Sequence, residues 1–214
     1  NNTAIGSLSL DANTTGTGNT AVGKDSLGAN TTGASNVAVG YLALDANTTG
    51  SFNIAIGESA GTSLTTANSN VAVGYDSLKD ATTATKNVAI GHGALQDSED
   101  SERNTGIGYQ ALQLNTTGSN NTAIGAQALD ATTTGAGNTA VGKDSLTANS
   151  TGSNNTALGF DAGDVLTTGS NNICIGYGAD TSANSGANQI VIGVSIAGGA
   201  DNQLTFGKAS NIVQ

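Results

Sequence analysis

The strongest constraint on this chain is an exact internal repeat with a 17-residue period. Each unit contains the pattern N-x-A-[IV]-G or a close variant, and its last Gly recurs at a fixed interval. These twelve glycines are Gly6, Gly23, Gly40, Gly57, Gly74, Gly91, Gly108, Gly125, Gly142, Gly159, Gly176 and Gly193. A period without insertion or deletion indicates that every unit has the same structural role in a one-dimensional stack.

The length and composition of the unit favour one architecture. A helix-pair repeat needs about 30 residues or more. The shorter unit of this chain is rich in Gly, Asn and Thr and suits one coil of a β-solenoid, in which short strands joined by tight turns pair with their equivalents in the next coil. The sequence therefore predicts an all-β fold, a parallel β-solenoid or β-roll of about twelve coils over residues 1–193.

The period fails after residue 193, because the next matching glycine, Gly207, comes earlier than the repeat requires. Residues 194–214 are therefore predicted to form a terminal coil and a transition to a neck or a following domain, with the tail from residue 208 leading into it. The chain also begins inside a repeat. We expect it to be a piece of a longer protein.

The strand pattern predicts which side chains are buried. The residue before each closing Gly is aliphatic, and the residue two positions earlier is Thr, Val or Ile. These two columns share a face, because side chains alternate along a strand. We expect them to form the inner core. A second core column is Leu, four positions after the closing Gly. It comprises Leu10, Leu27, Leu44, Leu78, Leu95, Leu112, Leu129 and Leu146.

Two coils have Gly in the Leu column, at Gly61 and Gly163, and both have Leu three positions later, at Leu64 and Leu166. Because an empty Leu site costs about 2–5 kcal/mol, we expect the displaced Leu to fill the same space.

The strand position between the two aliphatic columns is uniformly small. It is Ala in nine coils, at Ala4, Ala21, Ala38, Ala55, Ala72, Ala89, Ala123, Ala140 and Ala157. A solvent-facing position would tolerate charged residues, so this face is predicted to be buried as well. A strand that is buried on both faces needs a second layer. We interpret the Ala column as an interface with a neighbouring chain, hence a homo-oligomer; the alternative is tight packing within one chain.

The rest of the unit consists of turn residues. Thr-Thr-Gly recurs between the strands, and its Gly is expected to supply a positive φ at a corner. Asn opens the strand in eleven coils, and Gln189 does so in the twelfth. Stacked Asn side chains are expected to hydrogen-bond along the solenoid, as they do in cross-β ladders.

Charge and composition exclude several classes of protein. The net charge is −10 with six Lys and Arg residues, so the chain lacks the basic stripe that nucleic-acid binding requires. One cysteine cannot form an intramolecular disulfide or a CxxC zinc site. No apolar run approaches the roughly 20 residues of a membrane-spanning helix, so direct membrane insertion is not expected.

The repeat resembles two related groups of proteins. The pattern NTAIG-x-x-AL-x-x-NTTG is similar to the 17-residue repeats of bacterial and phage tail-fibre-domain proteins, which often end in an endosialidase-type chaperone domain. Its N-x-A-I-G core is also similar to the head repeat of trimeric autotransporter adhesins, whose unit is usually shorter. The resemblance covers residues 1–193. It implies a left-handed parallel β-roll assembled as a tight homotrimer.

Few residues suggest chemistry. His92 lacks a Ser or Cys partner in a triad-like arrangement and is interpreted as an exposed coil residue. Cys174 lies in the Ala column and is expected to replace a buried Ala. The acidic cluster from Asp97 to Glu102 lacks the spacing of a calcium loop and is interpreted as a solvated corner, with weak cation binding as the alternative. We therefore predict no enzymatic activity, no cofactor and no metal.

The position after the closing Gly is the main candidate for ligand contact. All four tyrosines and one phenylalanine lie there: Tyr41, Tyr75, Tyr109, Phe160 and Tyr177. An aromatic stripe could stack on saccharide rings or contact a protein receptor. Alternatively, the rings shield neighbouring coils or a subunit seam, since Lys24, Glu58, Ala126 and Lys143 occupy the same column.

These observations predict a structural and adhesive rod of an extracellular or virion fibre. It would attach to a host cell, a matrix or a glycan, and its partners would be other copies of itself and a host-surface glycan or protein. Two alternatives remain. One is an ice-binding β-solenoid with regular Thr columns, which the acidic pair Glu99-Asp100 interrupts. The other is a capsule-degrading phage fibre, although no Asp pair suits glycoside hydrolysis convincingly.

Overall fold

The computed structural model of the chain describes residues 1–208 and 211–213. Within these residues the fold is all-β, with sixteen strands and no helix. The chain divides into two compact units, Asn1–Ile107 and Gly108–Gln214. The predicted neck falls partly on residues 209, 210 and 214, which lie outside the described residues.

The first unit contains seven short strands of equal length. They are β1 (Thr3–Ile5), β2 (Thr20–Val22), β3 (Val37–Val39), β4 (Ile54–Ile56), β5 (Val71–Val73), β6 (Val88–Ile90) and β7 (Thr105–Ile107). Each strand pairs in parallel with its equivalent one repeat later, as in the Ala21↔Ala38 and Ala38↔Ala55 pairs. The predicted parallel β-solenoid is thus confirmed in this unit.

The second unit continues the same plan and then departs from it. Its strands are β8 (Thr122–Ile124), β9 (Thr139–Val141), β10 (Thr156–Leu158), β11 (Ile173–Ile175), β12 (Ala179–Asp180), β13 (Ile190–Val194), β14 (Ile196–Ala197), β15 (Leu204–Lys208) and β16 (Asn211–Val213). Strands β8 to β11 and β13 pair in parallel, again one repeat apart. Strand β15 pairs with β13 in the register Gly193↔Gly207, which is shorter than one repeat, and β16 returns antiparallel to β15. Strands β12 and β14 form a separate two-stranded sheet.

The core lies on the opposite side of the strands from the one that the sequence predicted. The Ala column points into the coil, and every member from Ala21 to Ala157 is buried, whereas Ala4 in the first coil is exposed. The flanking aliphatic columns point outward, with Ile56 41% exposed and Leu158 49% exposed. The prediction that these columns form the inner core is therefore wrong.

The interior of the coil is narrow, which explains why the Ala column, and not the flanking columns, faces inward. A methyl group added to Gly163 in the Leu column would lie 2.9 Å from Leu146 Cδ2 and 3.7 Å from the Cβ of Ala157. The Leu column and the Ala column thus face each other across the coil. Since Leu already fills this space, only a small side chain fits on the strand opposite it.

The burial of the Ala column also corrects the predicted oligomer interface. The Ala side chains contact the inside of their own coil, so those from Ala21 to Ala157 cannot meet a neighbouring chain. Packing within one chain, the alternative interpretation, describes this column.

The Leu column is confirmed as core. Its members from Leu27 to Leu146 are at most 1% exposed. The displaced Leu64 and Leu166 are also fully buried. A methyl group added to Gly61 would lie 3.0 Å from Leu64 Cδ1, so the displaced side chain does fill the space that Gly61 leaves.

The segment after each closing Gly consists of overlapping tight turns. In the third coil, the N–H groups of Ala43, Asp45 and Asn47 donate to the carbonyl three positions earlier. Leu42 and Leu44 have φ of 59° and 52°, values that such turns usually reserve for Gly. This conformation costs about 1–2 kcal/mol for a residue with a side chain. Hydrogen bonds between coils hold it, as from Leu44 N–H to the Ala60 carbonyl at 3.0 Å.

Two glycine columns are needed for different reasons. The closing Gly has a φ such as 137° at Gly40, where a methyl group would also lie 2.4 Å from the carbonyl oxygen of Gly57. The Gly of Thr-Thr-Gly, such as Gly33, does not have a positive φ, and that prediction is wrong. Its methyl group would instead lie 2.3 Å from the carbonyl oxygen of Gly50, so close approach of the backbones excludes any side chain.

The Asn that opens each strand forms the predicted ladder. Asn36 N–H donates to Asn19 Oδ1 at 2.9 Å, and Asn53 N–H donates to Asn36 Oδ1 at the same distance. Asn36 Nδ2 donates to the Gly50 carbonyl at 2.8 Å. The same bonds recur in the second unit, and Gln189 continues them by donating its N–H to Asn172 Oδ1.

Candidate functional site

The outward face of the strands carries one aliphatic column and a second column that is Ile or Val in six coils and Thr in the other six. It is formed by the residues one and three positions before each closing Gly, which are only Ile, Val, Leu or Thr in the twelve coils. In the first unit Ile54 and Ile90 are 39% and 38% exposed, and in the second unit Ile124 is 40% exposed. A sheet face without a charged residue is unusual for a surface in water and is typical of a surface that another layer covers. We refer to it as the outward aliphatic face.

The predicted aromatic stripe lies on the surface. Its five members, Tyr41, Tyr75, Tyr109, Phe160 and Tyr177, are between 41% and 54% exposed. They follow the closing Gly of their coils, so the turn geometry places each ring at the equivalent point of its coil.

Most rings of the stripe contact a neighbour in the adjacent coil. The Phe160 and Tyr177 rings stack with 5.6 Å between centroids and an interplanar angle of 8°. Lys143 Nζ lies 5.1 Å from the Phe160 centroid, and Lys24 Nζ lies 5.1 Å from that of Tyr41. Each of these rings thus covers part of its neighbour and leaves part of its surface free. This geometry is compatible with both interpretations of the stripe, and ligand contact stays a prediction.

His92 and Cys174 lie where the sequence placed them. His92 is exposed in the same column as the tyrosines, and its ring meets the Tyr75 ring edge-on at 5.0 Å. Cys174 is 1% exposed and pairs in register with Ala157. Burial raises the pKa of the Cys174 thiol to about 12, which keeps it protonated and unreactive at neutral pH.

The acidic cluster forms a corner in place of Thr-Thr-Gly. Glu99 and Asp100 are exposed, and the Thr83 hydroxyl donates to the Asp100 carboxylate. The Thr85 hydroxyl donates to Glu102 Oε1 at 3.0 Å, and Arg103 forms an ion pair with the same carboxylate at 2.8 Å. The interpretation as a solvated corner agrees with these contacts. Across the described residues, no three His, Cys, Asp or Glu side chains are arranged to hold a metal ion.

A second acidic group lies in the second unit, and sequence reasoning missed it. An open cavity of about 380 Å³ is lined by Asp161, Asp164, Tyr177, Gly178, Asp180, Ser195, Ile196 and Ala197. Asp180 lies four positions after Gly176 and so occupies the Leu column. Reading that column through its eleventh coil would have identified this acid among core positions.

The environment of Asp180 favours its protonated form. Burial raises the pKa of this carboxyl to about 7, and the neighbouring carboxyl of Asp164 contributes to the shift. The backbone N–H groups of Val165 and Asp164 lower the pKa of the Asp180 carboxyl. The pKa of Asp161 is also raised, chiefly by desolvation and then by Asp164.

The fold and these surfaces define a class: a β-solenoid built from a 17-residue repeat, with an aliphatic outer sheet face and an aromatic stripe. No family model, curated protein or solved structure matches the chain. None of the described residues forms a helix that is long and apolar enough to cross a bilayer.

Proposed function

We propose that this chain is the structural and adhesive rod of an extracellular or virion fibre, assembled from three copies of itself. The observation that carries this proposal is the outward aliphatic face. Its side chains repeat every coil, at the spacing of about 4.8 Å between paired strands. A second copy of the chain presents the same columns at the same spacing, so the two faces match coil by coil. The resemblance to trimeric adhesin heads suggests that three copies meet in this way.

The oligomer is tested by measuring mass in solution. We expect the wild-type chain to form trimers in sedimentation-velocity and mass-photometry experiments. The double variant Ile124→Lys and Leu158→Lys places two charges on the outward aliphatic face and should yield monomers. The control variant Thr134→Lys and Thr151→Lys places the same charges at exposed corner positions and should remain trimeric. A wild-type chain that is folded and monomeric at all concentrations would overturn the trimer.

The adhesive part of the proposal rests on the aromatic stripe. Half-exposed rings such as those of Phe160 and Tyr177 offer flat apolar surfaces beside polar groups, which is the chemistry that saccharide stacking uses. We expect binding on an array of host-surface glycans and its loss in the double variant Phe160→Ala and Tyr177→Ala. Thr168→Ala, at an exposed corner, is the matched control. Wild-type protein that binds none of the glycans would remove glycans as the partner.

One observation favours ice binding as a second candidate function. The second position of the Thr-Thr-Gly corner, or of its variants in other coils, is an exposed Thr in nine coils. These residues are Thr15, Thr32, Thr49, Thr66, Thr83, Thr117, Thr134, Thr151 and Thr168. Asp100 takes the equivalent place in one coil and interrupts the column. Thermal-hysteresis measurement tests this candidate, and a concentrated sample without activity would exclude it.

The capsule-degrading alternative predicts a hydrolytic activity, which the proposed structural and adhesive role does not require. Incubation with capsular polysaccharides, followed by an assay for released reducing sugar, would reveal such an activity if the chain had one.

A further inference from the structure

Asp180 occupies a position that holds Leu in most coils. The same column contains Leu129 and Leu146 in earlier coils and Gly163 in the coil directly before. The Asp180 backbone lies in the short sheet of β12 and β14, where it pairs with Ala197. A carboxyl group thus replaces an apolar core side chain, next to a coil that leaves the column without a side chain.

The hydrogen bonds of this carboxyl are incomplete unless it holds a proton. Its atom Oδ1 is buried, and no donor among the described residues reaches it. The Asp164 carboxyl lines the same cavity and raises the pKa of the Asp180 carboxyl. Two carboxylates are both acceptors, so a bond between them requires that one carries a proton.

The surroundings provide no cation to replace that proton among the residues that line the cavity. Asp161 and Asp164 face Asp180 from the turn after β10, and Tyr177 faces it from the turn after β11. Ser195, Ile196 and Ala197 line the other side, from β14 and the residue before it. Cys174 on β11 also lies near Asp180, and its charge is negligible at neutral pH because its thiol stays protonated. Outside the lining, Asp144 raises the pKa of Asp161 and Lys143 lowers it.

We propose that Asp164 and Asp180 form a proton-sharing latch that holds β12 and β14 against the last coils in acid and releases them as the pH rises through neutrality. On release the shared proton passes to solvent, and two carboxylates remain side by side. Their repulsion acts on a sheet of only two residue pairs, beside a cavity that is already open to water.

The direction of the pH effect follows from the raised pKa. Asp180 has its ordinary pKa of 3.8 when the segment is open and about 7 when it is closed. Its contribution to stability is therefore complete below the ordinary value and is lost as the pH rises through about 7. For a single group whose pKa changes between these two values, linkage predicts that the equilibrium constant for opening the segment rises about tenfold between about pH 6 and about pH 8.

Hydrogen–deuterium exchange across this pH range tests the latch in the whole chain. After correction for intrinsic exchange, peptides that span residues 176–198 should show about tenfold lower protection at the higher pH, because the segment opens more often. Peptides from residues 20–39, which contain no such acid pair, should not change. Asp180→Asn removes the titration and should abolish the pH dependence, whereas Asp161→Asn should retain it.

A second variant guards against a simple folding defect. Asp180→Leu restores the residue type of the column and should keep the segment closed at every pH. Protection of residues 176–198 that does not vary with pH in the wild type would overturn the latch. An equal pH dependence in wild type and Asp180→Asn would overturn it as well.

Discussion

At the scale of single residues, the coil depends on backbone groups that approach one another closely. The closing Gly column combines an unusual φ with a carbonyl oxygen of the next coil in the place of a side chain. In the opening Asn column, side-chain amides take the place of backbone hydrogen-bond partners, and these side chains are buried from Asn19 to Asn172. Both columns therefore tolerate substitution poorly, although neither contributes much apolar surface.

Gly40→Ala should destabilise the first unit more than Gly18→Ala does. Both residues have a positive φ, 137° and 72°. A methyl group at Gly40 would lie 2.4 Å from the Gly57 carbonyl oxygen, whereas at Gly18 its nearest contact is Ser35 Oγ at 3.5 Å. We expect about 1 kcal/mol for Gly18→Ala and a larger loss for Gly40→Ala. Urea unfolding followed by circular dichroism measures both, and equal losses would contradict the role of close approach.

Asn36→Ala should cost about 1–3 kcal/mol for each buried group that it leaves unpaired. The group left without a partner is the N–H of Asn53, because the Gly50 carbonyl still accepts a hydrogen bond from Asn47 Nδ2 at 3.1 Å. Asn68 accepts a similar bond from Ser51 N–H, but it is exposed, so water can replace it. Asn68→Ala should therefore have a small effect in the same unfolding assay. A stability of Asn36→Ala close to that of the wild type would show that the ladder contributes little.

At the scale of the element, each coil is a short strand followed by a run of tight turns, and the turns supply the large core residues. The strands, their register and the Leu column could be predicted from the sequence, because they follow from the period and from residue type. The strand face assigned to the core was wrong. Alternation separates Ala38 from Val37 and Val39 but does not say which face is inside, and that depends on how much space Leu44 leaves.

A swap within one coil tests the idea that Leu can enter the core from either of two positions. Leu64→Asn alone should cost about 2–5 kcal/mol, because Gly61 leaves the core space empty. The double variant Gly61→Leu and Leu64→Asn should recover most of that loss. The φ of Gly61, 59°, is close to the 52° of Leu44, so Leu fits the backbone there.

The double variant should also gain a hydrogen bond. Asn47 Oδ1 is buried without a donor, since the next residue in its column is Leu64. An Asn at this place would extend the ladder in which Asn47 Nδ2 donates to Asn30 Oδ1 at 2.9 Å. A double-mutant cycle from unfolding curves measures the coupling. Additive losses from the two substitutions would contradict the compensation.

At the scale of the whole molecule, stability comes from contacts between successive coils, and within each unit the same contacts recur. The departures from the repeat are where sequence reasoning was least informative. The column assignment places Asp180 in the core, but only the structure shows the carboxyl of Asp164 beside it. The residue pattern of the outward aliphatic face was likewise visible in the sequence, whereas only the structure shows that this face is exposed.

Removal of one whole coil should leave a folded chain. Deletion of residues 24–40 joins Gly23 to Tyr41, which restores every column in register. We expect a circular dichroism spectrum like that of the wild type. The free energy of unfolding should depend slightly less steeply on denaturant concentration, because the shorter chain buries less surface. Deletion of residues 24–31 shifts the register, and we expect it to unfold the coils around the junction. Similar spectra and stability for both deletions would contradict a register-dependent stack.

The close approach of the closing glycines has a consequence for how such a gene can change. A methyl group is excluded at Gly40 by Gly57 just as it is at Gly23 by Gly40, so consecutive coils present the same contact to each other. Misaligned recombination between two repeats yields a shorter or longer protein in which every junction already exists elsewhere in the chain. The number of coils can therefore change by whole repeats without creating a new contact, whereas the acid pair at Asp164 and Asp180 depends on two departures from the repeat.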